Sequence, residues 1–256
     1  MRMTTLLSKS HRLAALRPFS SDSVASISAA WDVRMVHESN VIEGNTYTLR
    51  QTAMVLHEKF QDKDKPLPDY LELIRLDEAW EIIKAFRASF PLSRQQLIDC
   101  YKFALVRAED HFAGHLSGAS LQNGSRDPSA AIIEALNRII EITEPVEMAA
   151  SIHFEITRLD PFQNGSGRAA RLAMNFILLA AGYPPVSIPT ELRQAYYAAL
   201  EAADSGDFPA WLGFLTRQLD HELDLWLEAL EETEDRFAAR QKTEDQKAIP
   251  PLSHNK

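Results

Sequence analysis

The fold of this chain is decided by residues 160–171, which read DPFQNGSGRAAR. Pro161 predicts the end of the preceding helix, because its ring disfavours helical geometry in the residue before it and its nitrogen carries no hydrogen to donate. Gly165 and Gly167 allow positive φ angles, so successive backbone N–H groups can converge on an anion. The residues from there to Ala181 are nearly all apolar and predict a helix at the centre of the domain. The stretch therefore predicts an anion-binding loop that opens a buried helix.

The two arginines of the stretch support an anion site. Arg168 and Arg171 lie one helical turn apart, so both guanidinium groups can reach toward one phosphate chain. The positive end of the helix dipole lies at the same place. Arginines that enter a buried helix also need an anionic partner. The alternative is a glycine-rich turn with two surface arginines, and of the two we favour the phosphate site.

Composition narrows the class of protein. The chain has 256 residues, of which 45% are hydrophobic and 25% charged, enough for the core of one domain with appendages. A formal charge of -9 argues against nucleic acid or anionic lipid as a partner. No apolar run reaches the roughly 18 residues that a membrane-spanning helix needs. The single cysteine, Cys100, indicates a reducing compartment, and we therefore expect a cytoplasmic protein.

The start of the chain, residues 1–21, is basic and has no continuous hydrophobic segment. It is therefore a poor secretory signal. Leucines at helical spacing predict an N-terminal helix packed on the body of the protein, and a transit-type segment is the alternative.

Apolar residues recur at helical spacing along most of the chain, and alternating strand patterns are scarce, so the predicted fold class is all-α. Residues 111–127, rich in glycine and serine, predict a loop or short hairpin. Charged and apolar-poor residues after 232 predict a disordered tail. Helices are predicted at residues 24–36, 49–60, 70–88, 93–107 with Ser93 as N-cap, 129–142, 145–159, 168–181, 190–203 with Thr190 as cap, and 207–232.

The loop resembles the signature of the Fic (Fido) family, HPFx(D/E)GNGRxxR. His153 and the sequence AGYPP at residues 181–185 resemble the family's flanking positions, and residues 196–207 resemble a later stretch of it. The resemblance covers residues 36–215 and implies a Fic-type helical bundle with a short β-hairpin flap near the active-site loop. We expect an N-terminal helical region over residues 1–69, a Fic core over 70–232 and the tail over 233–256. The resemblance implies nucleotide binding, with ATP or a related nucleotide, by Asn164, Gly165, Ser166, Gly167, Arg168 and Arg171.

A second motif lies earlier in the chain. Residues 39–45 read SNVIEGN and resemble the family's inhibitory motif, (S/T)xxxE(G/N), through Ser39, Glu43 and Gly44. The resemblance implies that Glu43 pairs with Arg171 and blocks productive seating of the γ-phosphate. Such a pair is physically reasonable, because a carboxylate occupies the guanidinium donors that a phosphate would use. Taken without the resemblance, the stretch is a polar helix end with Gly44 as its C-cap.

The chain departs from the family signature at positions that matter for chemistry. Asp160 stands where the family has its catalytic histidine, and an aspartate with the ordinary pKa of about 3.9 is a much weaker base than imidazole. Asn164 stands at the acidic magnesium-binding position, where an amide holds the metal weakly, and Asp160 is a possible further metal ligand. Ser166 replaces an asparagine. The predicted hairpin also lacks the arginine expected after Gly114, which puts the docking of a target chain in doubt.

These departures separate binding from chemistry. The family transfers AMP from ATP to a hydroxyl of a target protein, here unknown. We expect a nucleotide-binding protein related to these adenylyltransferases, with AMP transfer impaired or altered because Asp160 replaces the histidine. The alternative is a non-catalytic sensor of a phosphate ligand, gated by Glu43. His153 lies about 10 Å before Asp160 by helix rise, too far to replace the base, and a homodimer is possible because self-inhibiting members are often dimers.

Overall fold

A computed structural model describes residues 2–16, 21–86, 88–99, 128–160 and 165–248 of the chain. These residues form helices joined by turns and irregular segments, and none of them lies in a β-strand, which confirms the all-α prediction. The predicted flap at 111–127 lies outside the described residues. The helices are α1 (Arg2–Ala15), α2 (Ser21–Val41), α3 (Leu49–Glu58), α4 (Leu67–Ala85), α5 (Pro128–Ile139), α6 (Pro145–Leu159), α7 (Ser166–Ala180), α8 (Arg193–Asp204) and α9 (Phe208–Ala248).

Helix α7 is the centre of the structure. Every residue from Arg168 to Leu178 is buried, because α7 packs along α6 and also contacts α4 and α2. A helix with apolar side chains on all sides can bury them only if other elements pack around it on all sides. Phe176 of α7 packs against Phe86, which directly follows α4, with ring centroids 5.5 Å apart. The sequence prediction of a central helix after the glycine-rich loop therefore agrees with the structure.

One buried polar side chain of α7 fixes the segment that follows it. Asn175 donates through Nδ2 to the carbonyl of Val186 at 3.0 Å and accepts the Val186 N–H at 2.7 Å. The segment from residue 183 to residue 189 has no regular secondary structure, so its buried backbone groups need partners of this kind. The Asn175 amide therefore provides the hydrogen-bond partners that a neighbouring strand would otherwise give to this buried, irregular segment.

Two carboxylates, each with two partners, attach α2 to the neighbouring helices. Asp32 accepts the indole N–H of Trp80 and the ammonium of Lys84, both at 2.6 Å. On the opposite side, the buried carboxylate of Glu222 on α9 accepts a hydrogen bond from the Trp31 indole N–H at 2.9 Å. The same carboxylate forms an ion pair with Arg34. Helix α2 is thus held from both sides, and its C-terminal end lies beside α7.

Several helix boundaries differ from the sequence predictions, and three of the differences are informative. Helix α2 continues to Val41 instead of ending at residue 36, because polar side chains do not by themselves stop a helix. Thr190 is not a cap; it begins a 3₁₀ turn, Thr190–Leu192, and α8 begins at Arg193. Helix α9 continues to Ala248 where a disordered tail was expected from residue 233, because neither glycine nor proline occurs between Gly213 and Pro250.

Two other expectations agree with the structure. Ser93 caps the helical residues 94–99, since its Oγ accepts the Gln96 N–H at 3.2 Å and Gln96 Oε1 accepts the Ser93 N–H at 2.8 Å. Helix α1 packs on α9 through Leu6 and Leu13, which are buried. Among the described residues, no helix combines the length and the hydropathy that crossing a membrane requires.

Replacing Asn175 with alanine should lower the free energy of unfolding by about 2–4 kcal/mol, because both backbone groups of Val186 lose their partner inside the core. Urea unfolding followed by circular dichroism measures this. The matched control is Gln194→Ala on the exposed face of α8, which should change the same quantity by no more than about 0.5 kcal/mol. A similar effect of the two substitutions would show that the Asn175 contacts do not stabilise the fold.

Candidate functional site

The end of α2 is built to present Glu43. Gly44 has φ 105°, and its N–H donates to the carbonyl of Val41 at 2.9 Å, while the Asn45 N–H donates to the carbonyl of Asn40 at 3.2 Å. This is the bonding pattern of a glycine-terminated helix. A Cβ at Gly44 would meet nothing within 4 Å, so the dihedral angle alone requires glycine. The interpretation of this stretch as a helix end with Gly44 as cap is confirmed, and the inhibitory role of Glu43 stays a prediction.

Opposite this end lies the beginning of α7. Gly165 precedes the helix with φ 104°, as predicted. The prediction of a positive φ at Gly167 was wrong, because Gly167 lies in the first turn of the helix and is not among the residues with positive φ. Its importance is space: a Cβ there would lie 2.2 Å from Glu43 Oε1 and 3.1 Å from Arg171 Nη1. Gly167 therefore permits the close approach of Glu43 to α7.

Arg171 is the cation on which the two elements meet. Its Nε donates to Ser39 Oγ, and its Nη2 donates both to the Ser39 carbonyl and to Glu43 Oε1, each at 2.8 Å. The Arg171 side chain is 3% exposed and that of Glu43 is 25% exposed. The structure thus brings together Glu43 and Arg171, which the sequence analysis paired, and Ser39, which it named only as part of the motif, contributes a backbone acceptor as well as a hydroxyl.

A tyrosine and a histidine complete the surroundings of Arg171. Arg171 Nη1 donates to the hydroxyl of Tyr196 at 3.4 Å, and that hydroxyl lies 3.0 Å from His153 Nε2. Burial raises the pKa of Tyr196 to about 12, so the hydroxyl is neutral at physiological pH. Burial lowers the pKa of Arg171, and Tyr196 and Glu43 more than offset this, so the pKa is raised; with Tyr196 neutral, Glu43 is the counter-ion of this buried guanidinium.

His153 belongs to the core. Burial, reinforced by the charge of Arg171, lowers its pKa well below the ordinary value, so the ring is neutral. Its ring packs against that of Trp211 in a tilted arrangement, with ring centroids 4.6 Å apart, and its Nε2 lies within hydrogen-bond distance of the Tyr196 hydroxyl. His153 therefore orients Tyr196 and is not a replacement base, as its distance from Asp160 along the helix already indicated.

Arg168 has a partner that the sequence analysis missed. Glu72 on α4 accepts from Arg168 Nη2 at 3.3 Å, and its second oxygen accepts from Asn45 Nδ2 at 3.3 Å. The side chains of Arg168 and Glu72 are 6% and 13% exposed. Burial lowers the pKa of Arg168, and Glu72 partly offsets this. The only sequence signal for Glu72 is a carboxylate among apolar residues of a helix, which is too common to single it out.

The residues expected to carry chemistry lie elsewhere in the loop. Asp160 is the exposed C-cap of α6, with φ 38° and ψ 59°, a left-handed conformation that aspartate tolerates better than most residues. Asn164 lies outside the described residues. Within the part of the chain that the structure describes, no three His, Cys, Asp or Glu side chains form a group that could hold a metal ion. Magnesium binding by Asp160 and Asn164 therefore stays a prediction.

The arrangement places two arginines and two carboxylates at the N-terminal end of a buried helix. The backbone N–H groups of a first helical turn and the helix dipole both favour an anion at this place. Glu43 and Glu72 balance the charges of Arg171 and Arg168. An anionic ligand that uses the same guanidinium donors must compete with these carboxylates.

Comparison with known sequences agrees with this geometry. Residues 91–178 match the family model described as Fic/DOC family. The protein adenylyltransferase Fic of Nematostella vectensis is 31% identical over 204 residues, which are 75% of this chain and 48% of that protein. The protein adenylyltransferase fic-1 of Caenorhabditis elegans is 27% identical over 213 residues, 78% of this chain and 42% of that protein. The chain therefore spans less than half the length of these relatives.

Solved structures share the fold. A fragment of Fic-1 from Caenorhabditis elegans superposes with a TM-score of 0.73 at 22% identity, over 89% of this chain and 71% of that chain. A Fic domain containing signalling protein from Bacteroides thetaiotaomicron gives a TM-score of 0.73 at 23% identity, over 91% of this chain and 97% of that chain. At these identities the likeness concerns the arrangement of the helices.

Replacing Gly167 with alanine should destabilise the protein, because the new Cβ displaces Glu43 from Arg171. In a Glu43→Ala background that conflict is absent, and the same change should be neutral or stabilising by up to about 1 kcal/mol, since alanine favours a helix over glycine. Urea unfolding of wild type, the two single variants and the double variant gives the effect of Gly167→Ala on the free energy of unfolding with and without Glu43. The two values should differ by about 1 kcal/mol or more.

Gly213→Ala is the matched control for this cycle. Gly213 also lies inside a helix, and a Cβ there would be 3.6 Å from Arg217 Nη1, an ordinary contact distance. Its effect on the free energy of unfolding should be the same with and without Glu43. If the effect of Gly167→Ala on the free energy of unfolding is also the same with and without Glu43, the position of Glu43 does not require a glycine at residue 167.

Proposed function

The chain carries a Fic domain of the Fic/DOC family, and on that premise we propose that the N-terminal end of α7 binds the phosphates of ATP or a related nucleotide. Arg168 and Arg171 supply the positive charge, and the first turn of α7, from Ser166, supplies backbone donors. The observation that carries this proposal is the Glu43 carboxylate on Arg171, 2.8 Å from Nη2. A buried guanidinium held by a carboxylate at a helix N-terminus is a site for exchange of one anion for another.

In this proposal Glu43 is the gate of the nucleotide site. It occupies Arg171 donors that the terminal phosphate would use, and the ligand must displace it. Displacement is feasible because Glu43 is the last residue before the Gly44 turn and its side chain is 25% exposed, so the carboxylate can be re-solvated by a small movement. Ser39, by contrast, is buried and keeps its two contacts with Arg171. The gate therefore opens at Glu43 without unfolding α2.

We further propose that AMP transfer is impaired or altered in this chain. In the reaction suggested by the relatives' name, a hydroxyl oxygen of a target protein attacks the α-phosphorus of ATP, the bond to pyrophosphate breaks, and a base takes the hydroxyl proton. Asp160 stands at the position of that base. A carboxylate accepts this proton less readily than imidazole does, and it brings a negative charge toward the triphosphate.

A non-catalytic sensor of a phosphate ligand is the second candidate, favoured by the same Asp160 with its exposed side chain at the end of α6. The two candidates share the binding site and the gate, and differ in what Asp160 does. An enzyme should lose activity on Asp160→Ala. A sensor should bind its ligand at least as tightly once that charge is removed.

Glu43→Gly should raise the affinity for ATP with magnesium by roughly tenfold to a hundredfold, because charge-assisted hydrogen bonds of about 1.5–3 kcal/mol no longer compete with the ligand. Isothermal titration calorimetry measures both dissociation constants. Glu141→Gly, which removes an exposed carboxylate just after α5, controls for the change in net charge and should leave the affinity unchanged. Equal affinities of wild type and Glu43→Gly protein for ATP would show that Glu43 does not compete with the ligand.

Glu43→Gly protein incubated with lysate and ATP labelled at the α-phosphate should label few proteins, and Asp160→His combined with Asn164→Asp in that background should label more. Gel autoradiography measures the transfer, and Asp160→Ala in the same background gives the level without a base. Strong labelling by the chain with its native Asp160, lost on Asp160→Ala, would contradict impaired chemistry and identify Asp160 as a working base.

A further inference from the structure

The two carboxylates at the start of α7 are held in different ways. Glu43 lies at a helix end next to a glycine turn, whereas Glu72 lies in the second turn of α4, next to the fully buried Leu73. Helix α4 packs against α2, α3 and α7. Because its backbone lies in a core helix and its side chain is only 13% exposed, Glu72 has less room to turn into solvent than Glu43, and it stays beside Arg168 when Glu43 leaves.

The contacts of Glu72 also differ in strength from those of Glu43. The Arg168–Glu72 separation is 3.3 Å, compared with 2.8 Å for Arg171–Glu43. Charge-assisted hydrogen bonds are strongest near the shorter of these distances. Glu72 is therefore close enough to compensate the charge of Arg168, and loosely enough bonded for Arg168 to contact a phosphate as well.

Residues 39–45, which carry Glu43, also contact the Arg168–Glu72 pair. Asn45 lies two residues after Glu43, and its Nδ2 donates to Glu72 Oε2 at 3.3 Å and to the Asp69 carbonyl at 2.9 Å. The turn that carries the gate is thereby fastened to α4 at the carboxylate that faces Arg168. The two carboxylates thus form one connected group around the two arginines.

We propose that Glu72 is a specificity-determining residue of the phosphate site: it is a fixed counter-charge on Arg168 that limits how strongly the site prefers ligands with several phosphates. This inference rests on the proposed nucleotide binding. With Glu43 displaced, Arg171 is the arginine without a carboxylate, and Arg168 is still compensated by Glu72. A nucleoside triphosphate therefore meets less positive charge than two arginines alone would provide, and its advantage over a monophosphate is reduced.

The test uses Glu43→Gly protein, in which the gate is already open, and compares it with the same protein carrying Glu72→Gln. The glutamine keeps the shape of the side chain and an oxygen for Asn45, and removes the charge. Calorimetric titrations with ATP, ADP and AMP give the three dissociation constants. We expect affinity for ATP to rise about tenfold, affinity for ADP to rise less, and affinity for AMP to change by less than about twofold, because the Coulombic gain grows with ligand charge.

Glu78→Gln is the matched control, since Glu78 is an exposed carboxylate on the same helix. It should leave the ratio of ATP to AMP affinity unchanged. A structural role of Glu72 would alter all three affinities together and would not move this ratio. If Glu72→Gln protein does not fold, Glu72→Asp, which draws the charge back by one methylene, should raise the ratio by a smaller factor.

The outcomes separate this inference from the function on which it rests. Binding of ATP by Glu43→Gly protein with an unchanged ratio in the Glu72→Gln variant overturns the inference alone. Weaker ATP binding in that variant overturns it as well, and assigns Glu72 to the orientation of Arg168 toward the phosphate. Failure of Glu43→Gly protein with native Glu72 to bind ATP overturns the proposed function, and the inference with it.

Discussion

A buried guanidinium requires a counter-charge, and Arg171 is the buried guanidinium around which this structure is arranged. It lies in the second turn of a helix whose residues are buried on every side, where an uncompensated charge would cost several kcal/mol. The chain supplies acceptors from the end of α2, through Ser39 and Glu43. The rest of the site follows from the need to bring that end of α2 to the start of α7.

Three features of the sequence serve this one contact. Helix α2 must end at Glu43, and Gly44 ends it by taking a left-handed conformation. The carboxylate must reach the guanidinium past the first turn of α7, and Gly167 leaves the space. Helix α2 must also keep its position, which the contacts of Asp32 with α4 and of Arg34 with Glu222 on α9 secure. A residue change at Gly44 or in the contacts that hold α2 acts on the ion pair from a distance, whereas a Cβ at Gly167 would meet Glu43 directly.

The pair joins a rigid cation to a movable anion. Arg171 is fixed by Ser39 on one side and by the Tyr196–His153 contact on the other, whereas Glu43 is one-quarter exposed. In the proposed function, a phosphate replaces the Glu43 carboxylate and leaves these contacts of Arg171 with the core in place. Asp160 lies outside this buried group, at the exposed end of α6. The proposed function therefore assigns binding and chemistry to different residues, and in it a change at Asp160 need not disturb the contacts of Arg171.

The sequence alone determined the helical class, the central helix and the glycine that precedes that helix, because periodicity and glycine act over a few residues. It also indicated the pairing of Glu43 with Arg171, through the resemblance of two short motifs. It could not give the partner of Arg168, since Glu72 is 96 residues away in the chain and nothing local distinguishes it from a surface carboxylate. It misjudged Gly167, whose neighbour in space is Glu43 and whose dihedral angle is ordinary. Only the tertiary structure decided these points, because counter-charges and free space are properties of helices packed together.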